Sequence, residues 1–271
     1  MKQRVIAACA LLPPLLWIVL FMPKIFTAVL FGAMACIGAR EFLLGTGLVK
    51  QKRLVTYAMI MAFFVAVWGS VWSVYFLVLL GVFVFFCVLF AELLLFHQQL
   101  NVEELTLTFF AGFVIPFLLG SIVRIHSHDN GRHLILLPFV IAFLSDTGAY
   151  FTGRAFGKHK LAPVISPNKT VEGLVGGLLG AVAGVALYCF ILQRFFGFAV
   201  HYLYVPVYGV LGSLGAVFGD LCFSAVKRKT GIKDYGNLIP GHGGILDRFD
   251  SMVVVAPLVE LLLLVIPMVV R

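Results

Sequence analysis

The chain has 271 residues; 62% are hydrophobic and only 12% charged, the mean hydropathy is +1.07 and the formal net charge is +8. A soluble domain carries about 25% charged residues, so this composition excludes an ordinary soluble enzyme and puts the chain in the membrane class. A disulfide scaffold is excluded too, because Cys9, Cys36, Cys87, Cys189 and Cys222 lie isolated in apolar segments with no CxxC and read as small hydrophobes.

A helix needs about 20 apolar residues to cross about 30 Å of hydrocarbon. Stretches near 4–22, 25–45, 54–70, 72–96, 104–124, 133–152, 172–193, 203–226 and 246–270 meet that need. Backbone polar groups in lipid must be satisfied within the segment, so these are helices rather than open strands. The expected fold class is therefore all-α, a polytopic transmembrane bundle of about nine helices. The first stretch has Lys2 and Arg4 ahead of its apolar run, but no small-x-small cleavage site follows, and it ends at Phe21-Met22-Pro23. It reads as a retained helix bent at Pro13-Pro14. The third and fourth stretches are divided only by Gly69-Ser70-Val71.

Residues 1–135 read as hydrophobic transmembrane scaffold. Arg40-Glu41 is expected to be a local ion pair, Glu92 a buried pair or a snorkelling end residue, and His126-Ser127-His128-Asp129 an exposed turn. Residues 136–271 read as the catalytic region, with two basic loops. With nine helices and the N-terminus in the cytoplasm, fifteen of the 20 Lys and Arg fall on the cytoplasmic side, as the positive-inside bias requires. The expected location is a bacterial inner membrane, multi-pass, with the two large basic loops facing the cytoplasm. The basic charge suits membrane lipid headgroups or a polyphosphate; nucleic acid is not an expected partner.

Three polar clusters border the C-terminal helices: Ser145–Lys158, Ser166–Gly173 and Asp220–Asp250. Between them Gly176, Gly180 and Gly184, and likewise Gly215 and Gly219, recur every four residues, a spacing that lets helices approach closely. Asp220, Ser224, Lys227 and Arg228 share one helical face. Gly231–Gly244 should be irregular backbone, tolerated at membrane depth only when buried in protein or lining a wet cavity. Asp247 and Asp250 then open the last helix, three residues apart. Carboxylates beside Lys and Arg point to Mg2+ and phosphates, because Mg2+ is held by one or two carboxylates plus phosphate oxygens and water.

The stretch Ser224–Asp250, S-A-V-K-R-K-T-G-I-K-D-Y-G-N-L-I-P-G-H-G-G-I-L-D-R-F-D, resembles the signature of the phosphatidate cytidylyltransferase family, the CDP-diacylglycerol synthases. The resemblance extends to Ser145–Tyr150 and to Ser166–Gly173. It implies transfer of CMP from CTP to phosphatidic acid, with CTP, phosphatidic acid and membrane lipids as partners, a divalent metal (Mg2+, with a second cation left open) and a homodimer. On this resemblance Asp220 and Asp247 are the leading metal ligands and Asp250 and Asp146 the supporting acids. Lys227, Arg228, Lys233 and Arg248 would hold phosphates. Ser166 would cap a helix starting at Pro167, with Asn168 and Lys169 beside a second anion site. Tyr150, Ser224, Gly243 and Gly244 would line substrate. His242 would bind phosphate, protonate the leaving group, or make a structural hydrogen bond. Rival readings are a related CTP-using or polyprenyl-lipid enzyme with another acceptor, and an anion transporter; the two halves show no internal repeat of the transporter kind.

Overall fold

The structure, a computed structural model, describes residues 13–71, 75–128, 130–239 and 243–270. Lys2, Arg4, Cys9, Asp129, His242 and Arg271 lie outside the described residues. Among the described residues seven helices are long and apolar enough to cross a membrane: Lys24–Thr46, Lys52–Gly69, Phe76–Leu95, Val102–Ser127, Gly131–Phe156, Val171–Phe196 and Tyr202–Lys229. These match the second to the eighth expected stretches, and the chain is an all-α, multi-pass membrane protein. Residues 13–21 of the first stretch are helical. The last stretch is divided into a short turn and a 14-residue helix with Pro257 inside it.

The chain forms two compact units, Met1–Ser127 with Lys227–Phe249, and His128–Val226 with Asp250–Arg271. In the first, α1 (Lys24–Thr46) and α2 (Lys52–Val71) lie side by side, with Gly32 against Phe63 and Val67. The helix α1 ends at Gly47, whose left-handed φ of 67° lets its N–H reach the Leu44 carbonyl. The helix α3 (Tyr75–Leu95) turns Phe76, Leu79, Phe83, Phe90 and Leu94 outward, a face suited to lipid. The next span starts as α4 (Val102–Phe109), with Glu104 accepting from the Asn101 and Lys50 N–H groups. It then widens into a π-turn over Phe110–Val114 before α5 (Ile115–Leu119) and α6 (Ser121–Ser127). The cause is Pro116, whose ring cannot sit under the carbonyl four residues back and which has no N–H to give.

The second unit begins with the short α7 (Gly131–Leu134) and α8 (Leu137–Phe156). A hairpin follows, β1 (Lys160–Ala162) antiparallel to β2 (Ser166–Thr170), with Lys160 opposite Thr170 and Ala162 opposite Ser166. Then come α9 (Val171–Phe196), β3 (Ala199–Val200) and α10 (Val205–Lys229), whose last residues belong to the first unit. The chain continues through α11 (Leu246–Phe249) in the first unit and α12 (Met252–Val265) and β4 (Val269–Val270) in the second. The glycines set how closely helices approach. A Cβ at Gly148 of α8 would collide with the Gly176 carbonyl of α9, and Gly180 and Gly184 lie against Leu144. On α10, Gly215 faces Val254 and Leu258, and Gly219 faces the Asp250 carbonyl and Ser251. Every glycine expected to serve packing does so.

Candidate active site

In the second unit, three charged side chains from three elements gather. Asp146 of α8 lies within electrostatic range of both Lys169 of β2 and Asp220 of α10. Lys169 Nζ forms an ion pair with Asp220 Oδ2, both side chains about one quarter to one third exposed (24% and 30%). Ser224, one turn along α10, donates to Asp220 Oδ1 at 3.5 Å. Lys169 thus pairs with Asp220, and Asp146 lies in the field of both. Lys169 reaches Asp220 because β2 is extended, so its side chains alternate in direction.

Local sequence explains why β2 stops where it does. Thr170 is extended (φ −125°, ψ 156°), and its Oγ1 accepts from the Gly173 N–H at 3.0 Å, which makes it the cap of α9. The expectation that Ser166 caps a helix beginning at Pro167 is corrected here: Ser166 and Pro167 belong to β2, and the helix begins at Val171. Glu172 in the first turn of α9 accepts from the Lys158 and His159 N–H groups and contacts His159 Nδ1 at 2.6 Å, which ties the hairpin to the helix. Asn168 is exposed. Tyr150 is exposed on α8 and accepts from Arg154 Nη1 at 3.0 Å.

In the first unit, the segment after α10 is organised by Asp247. Its Oδ1 accepts from Lys227 Nζ at 2.9 Å, and its Oδ2 accepts from the N–H groups of Tyr235 at 2.8 Å and Gly244 at 3.0 Å. The side chain of Asp247 is 1% exposed and that of Lys227 11%. A carboxylate has about four lone-pair sites; described groups occupy three of them here. The Lys227 ammonium also lies 5.4 Å from the Tyr235 ring centre. Gly243 has φ 84°, and a Cβ there would press on Asp247 and Asp234, so glycine is required on both counts. The Ile239 N–H donates to the Gly243 carbonyl at 2.9 Å. The helix α10 is itself closed by Gly231 at φ 73° and by the Ile232 N–H on the Lys227 carbonyl.

Asp220, Ser224, Lys227 and Arg228 share α10 as expected, Lys227 buried and Arg228 exposed. Lys233, Asp234 and Arg248 are exposed. The helix carrying Asp247 stops at Phe249, so Asp250 opens a separate turn, buried, with its Oδ1 on the Ser251 N–H at 2.8 Å. Among the described residues no three His, Cys, Asp or Glu side chains gather as a metal site; the acids come in ones and twos.

Glu41 differs from its expected local pairing. Arg40 is exposed, whereas Glu41 is buried and accepts from the Leu246 N–H at 2.9 Å. The signal was present in the sequence, since a lone acid within an apolar span has a role by default. Glu92 resolves as a buried partner, contacting Arg53 at 3.3 Å and accepting from the Tyr57 hydroxyl at 2.9 Å.

Residues 2–266 match the sequence profile of the Cytidylyltransferase family. The phosphatidate cytidylyltransferase of Staphylococcus saprophyticus subsp. saprophyticus is 44% identical over 146 residues, 54% of this chain and 55% of the relative. That of Staphylococcus haemolyticus is 45% identical over 138 residues, 51% of this chain and 52% of the relative. That of Staphylococcus aureus (strain COL) is 44% identical over 147 residues, 54% of this chain and 55% of the relative. The matched stretch spans about half the length of these curated relatives.

Proposed function

Because the chain belongs to the Cytidylyltransferase family, we propose that it is a phosphatidate cytidylyltransferase of phospholipid biosynthesis, joining CTP to phosphatidic acid to give CDP-diacylglycerol and pyrophosphate. The observation that carries this reading is the Asp146–Lys169–Asp220 group, an ion pair with a second acid in its field beside a hairpin and a helix start. Such a group suits a reaction between two polyanions.

In the reaction an oxygen of the lipid phosphate attacks the α-phosphorus of CTP. The bond from that phosphorus to the bridging oxygen of the β-phosphate breaks, and pyrophosphate leaves. The attacking oxygen is already ionised, so no enzyme nucleophile is needed, and the protein's work is positioning and charge neutralisation. Asp146 and Asp220 are hard oxygen donors that fit Mg2+ held by one or two carboxylates plus phosphate and water. When bound, the ion would neutralise charge on the phosphates of the reacting centre. Lys169 pairs with Asp220 and would offer its ammonium to a phosphate. On the family resemblance Lys227, Arg228, Lys233 and Arg248 would hold phosphates. Asp247 holds the Tyr235 and Gly244 N–H groups and keeps Lys227 in place. The reading includes an inner-membrane location, an active site open to the cytoplasm, and a homodimer.

The test is purified protein in mild detergent with phosphatidic acid, Mg2+ and CTP labelled on its α-phosphate. Label should enter the lipid phase, and EDTA should stop it. Label entering only with another lipid phosphate or alcohol would replace the acceptor, and no transfer from folded protein to any acceptor would refute the reading.

A further inference from the structure

The first unit holds a buried carboxylate that the proposed chemistry does not use. Glu41 lies on α1, far in sequence from the polar clusters, and is 6% exposed. An ionised group so placed is costly unless it is hydrogen-bonded, and its partner is the Leu246 N–H, at 2.9 Å. Leu246 is the residue before Asp247. A Cβ at Gly244 or Gly236 would collide with the same carboxylate, so both backbone stretches of the loop close on Glu41. The neighbours of Glu41 on α1 make the same contact. A Cβ at Gly45 would collide with the Tyr235 carbonyl, the Phe42 and Tyr235 ring centres are 5.6 Å apart, and a Cβ at Gly38 would lie in van der Waals contact with Leu246. Residues 38, 41, 42 and 45 are one helical face, and that face is shaped to the loop.

Gly244 is the hinge of the arrangement. Its N–H goes to Asp247, while its α-carbon rests on Glu41. Asp247 ties the loop to itself and to Lys227; Glu41 ties it to the N-terminal helices. We infer that Glu41 is a positioning residue, which acts through the Leu246 N–H and the Gly244 and Gly236 backbone to hold Asp247 and Lys227 in their working geometry. The clamp is a property of the fold; its effect on turnover rests on the cytidylyltransferase reading.

The variants are Glu41→Gln, which keeps an oxygen for the Leu246 N–H, and Glu41→Ala, which removes it. Two readouts are taken on the folded fraction: hydrogen exchange of peptides covering 235–247, and kcat and KM for CTP. Glu41→Ala should speed exchange in those peptides and lower kcat by about 10- to 100-fold, the cost of a small misplacement, with KM changed less than about threefold. Glu41→Gln should restore both readouts to within about threefold. A merely structural role would reduce the amount of folded protein and leave the kcat of the folded fraction intact. Unchanged exchange in Glu41→Ala, faster exchange with normal kcat, or a Gln variant as damaged as the Ala variant would each overturn the inference. If Glu41→Ala does not accumulate, Gly236→Ala presses a methyl on the same carboxylate and should give the same pair of changes; a normal Gly236→Ala would overturn the inference. Wild-type protein that makes no CDP-diacylglycerol would refute the function and leave the exchange comparison to decide the clamp.

Discussion

Lys169 and Asp220 touch, and Asp146 feels both, so these residues should act as a unit. Lys169→Ala and Asp220→Asn are each expected to lower kcat by about 100-fold. The double variant should be no worse than the poorer single, because groups that work together are not additive. A double loss of about 10,000-fold, measured by the labelled-CTP assay, would show that the two act independently. Asp220 and Lys169 could be nominated from the sequence because they sit in polar clusters that interrupt or border apolar spans, and an ionisable residue within a span has a functional role by default. Their pairing could not, since 51 positions of chain separate them and only the extended path of β2 brings Lys169 to α10. Thr170 shows the same limit at short range. Ser166-Pro167 and Thr170-Val171 both carry helix-start chemistry, and the hairpin pairing of β2 with β1 decides for the second.

At the scale of elements, α8 and α9 are held by glycines rather than by large side chains. Gly148 sits against the Gly176 carbonyl, and Gly180 against the Leu144 carbonyl. Gly148→Leu is therefore expected to push the helices apart and lower stability by at least the 1–3 kcal/mol typical of overpacking, read as a fall in the detergent unfolding midpoint. Leu187→Ala, on the outward face of α9 and 59% exposed, should leave that midpoint within about one degree, since a lipid-facing leucine loses little. Equal effects from the two changes would contradict this packing. Spans and glycine spacing were legible because both are local patterns. The π-turn ahead of Pro116 was not read, although its cause is a single residue, because apolar periodicity passes through it unchanged. The division of the last stretch at Asp250 was likewise not read, although Asp247, Arg248 and Asp250 stand at its start.

For the whole molecule, orientation follows from charge. A single cysteine at Lys160, in a variant whose native cysteines are replaced, should react with a membrane-impermeant maleimide in inside-out vesicles and not in intact cells. Labelling from outside would reverse the orientation. Composition alone determined that this chain crosses membranes, because sparse charge and about 20-residue apolar runs leave no other solvent for it. The signature Ser224–Asp250 determined the family, because its acids, bases and glycines occur at spacings that ordinary helices do not need. The tertiary structure decided which of those residues meet. It seats the 227–249 segment with the N-terminal helices and makes Glu41 part of its support. That could not be read from the chain, since a hydrogen bond between positions 205 residues apart leaves no periodic trace. Its energy comes from satisfying a buried carboxylate and a buried N–H together, and those two groups become neighbours only after the helices have packed.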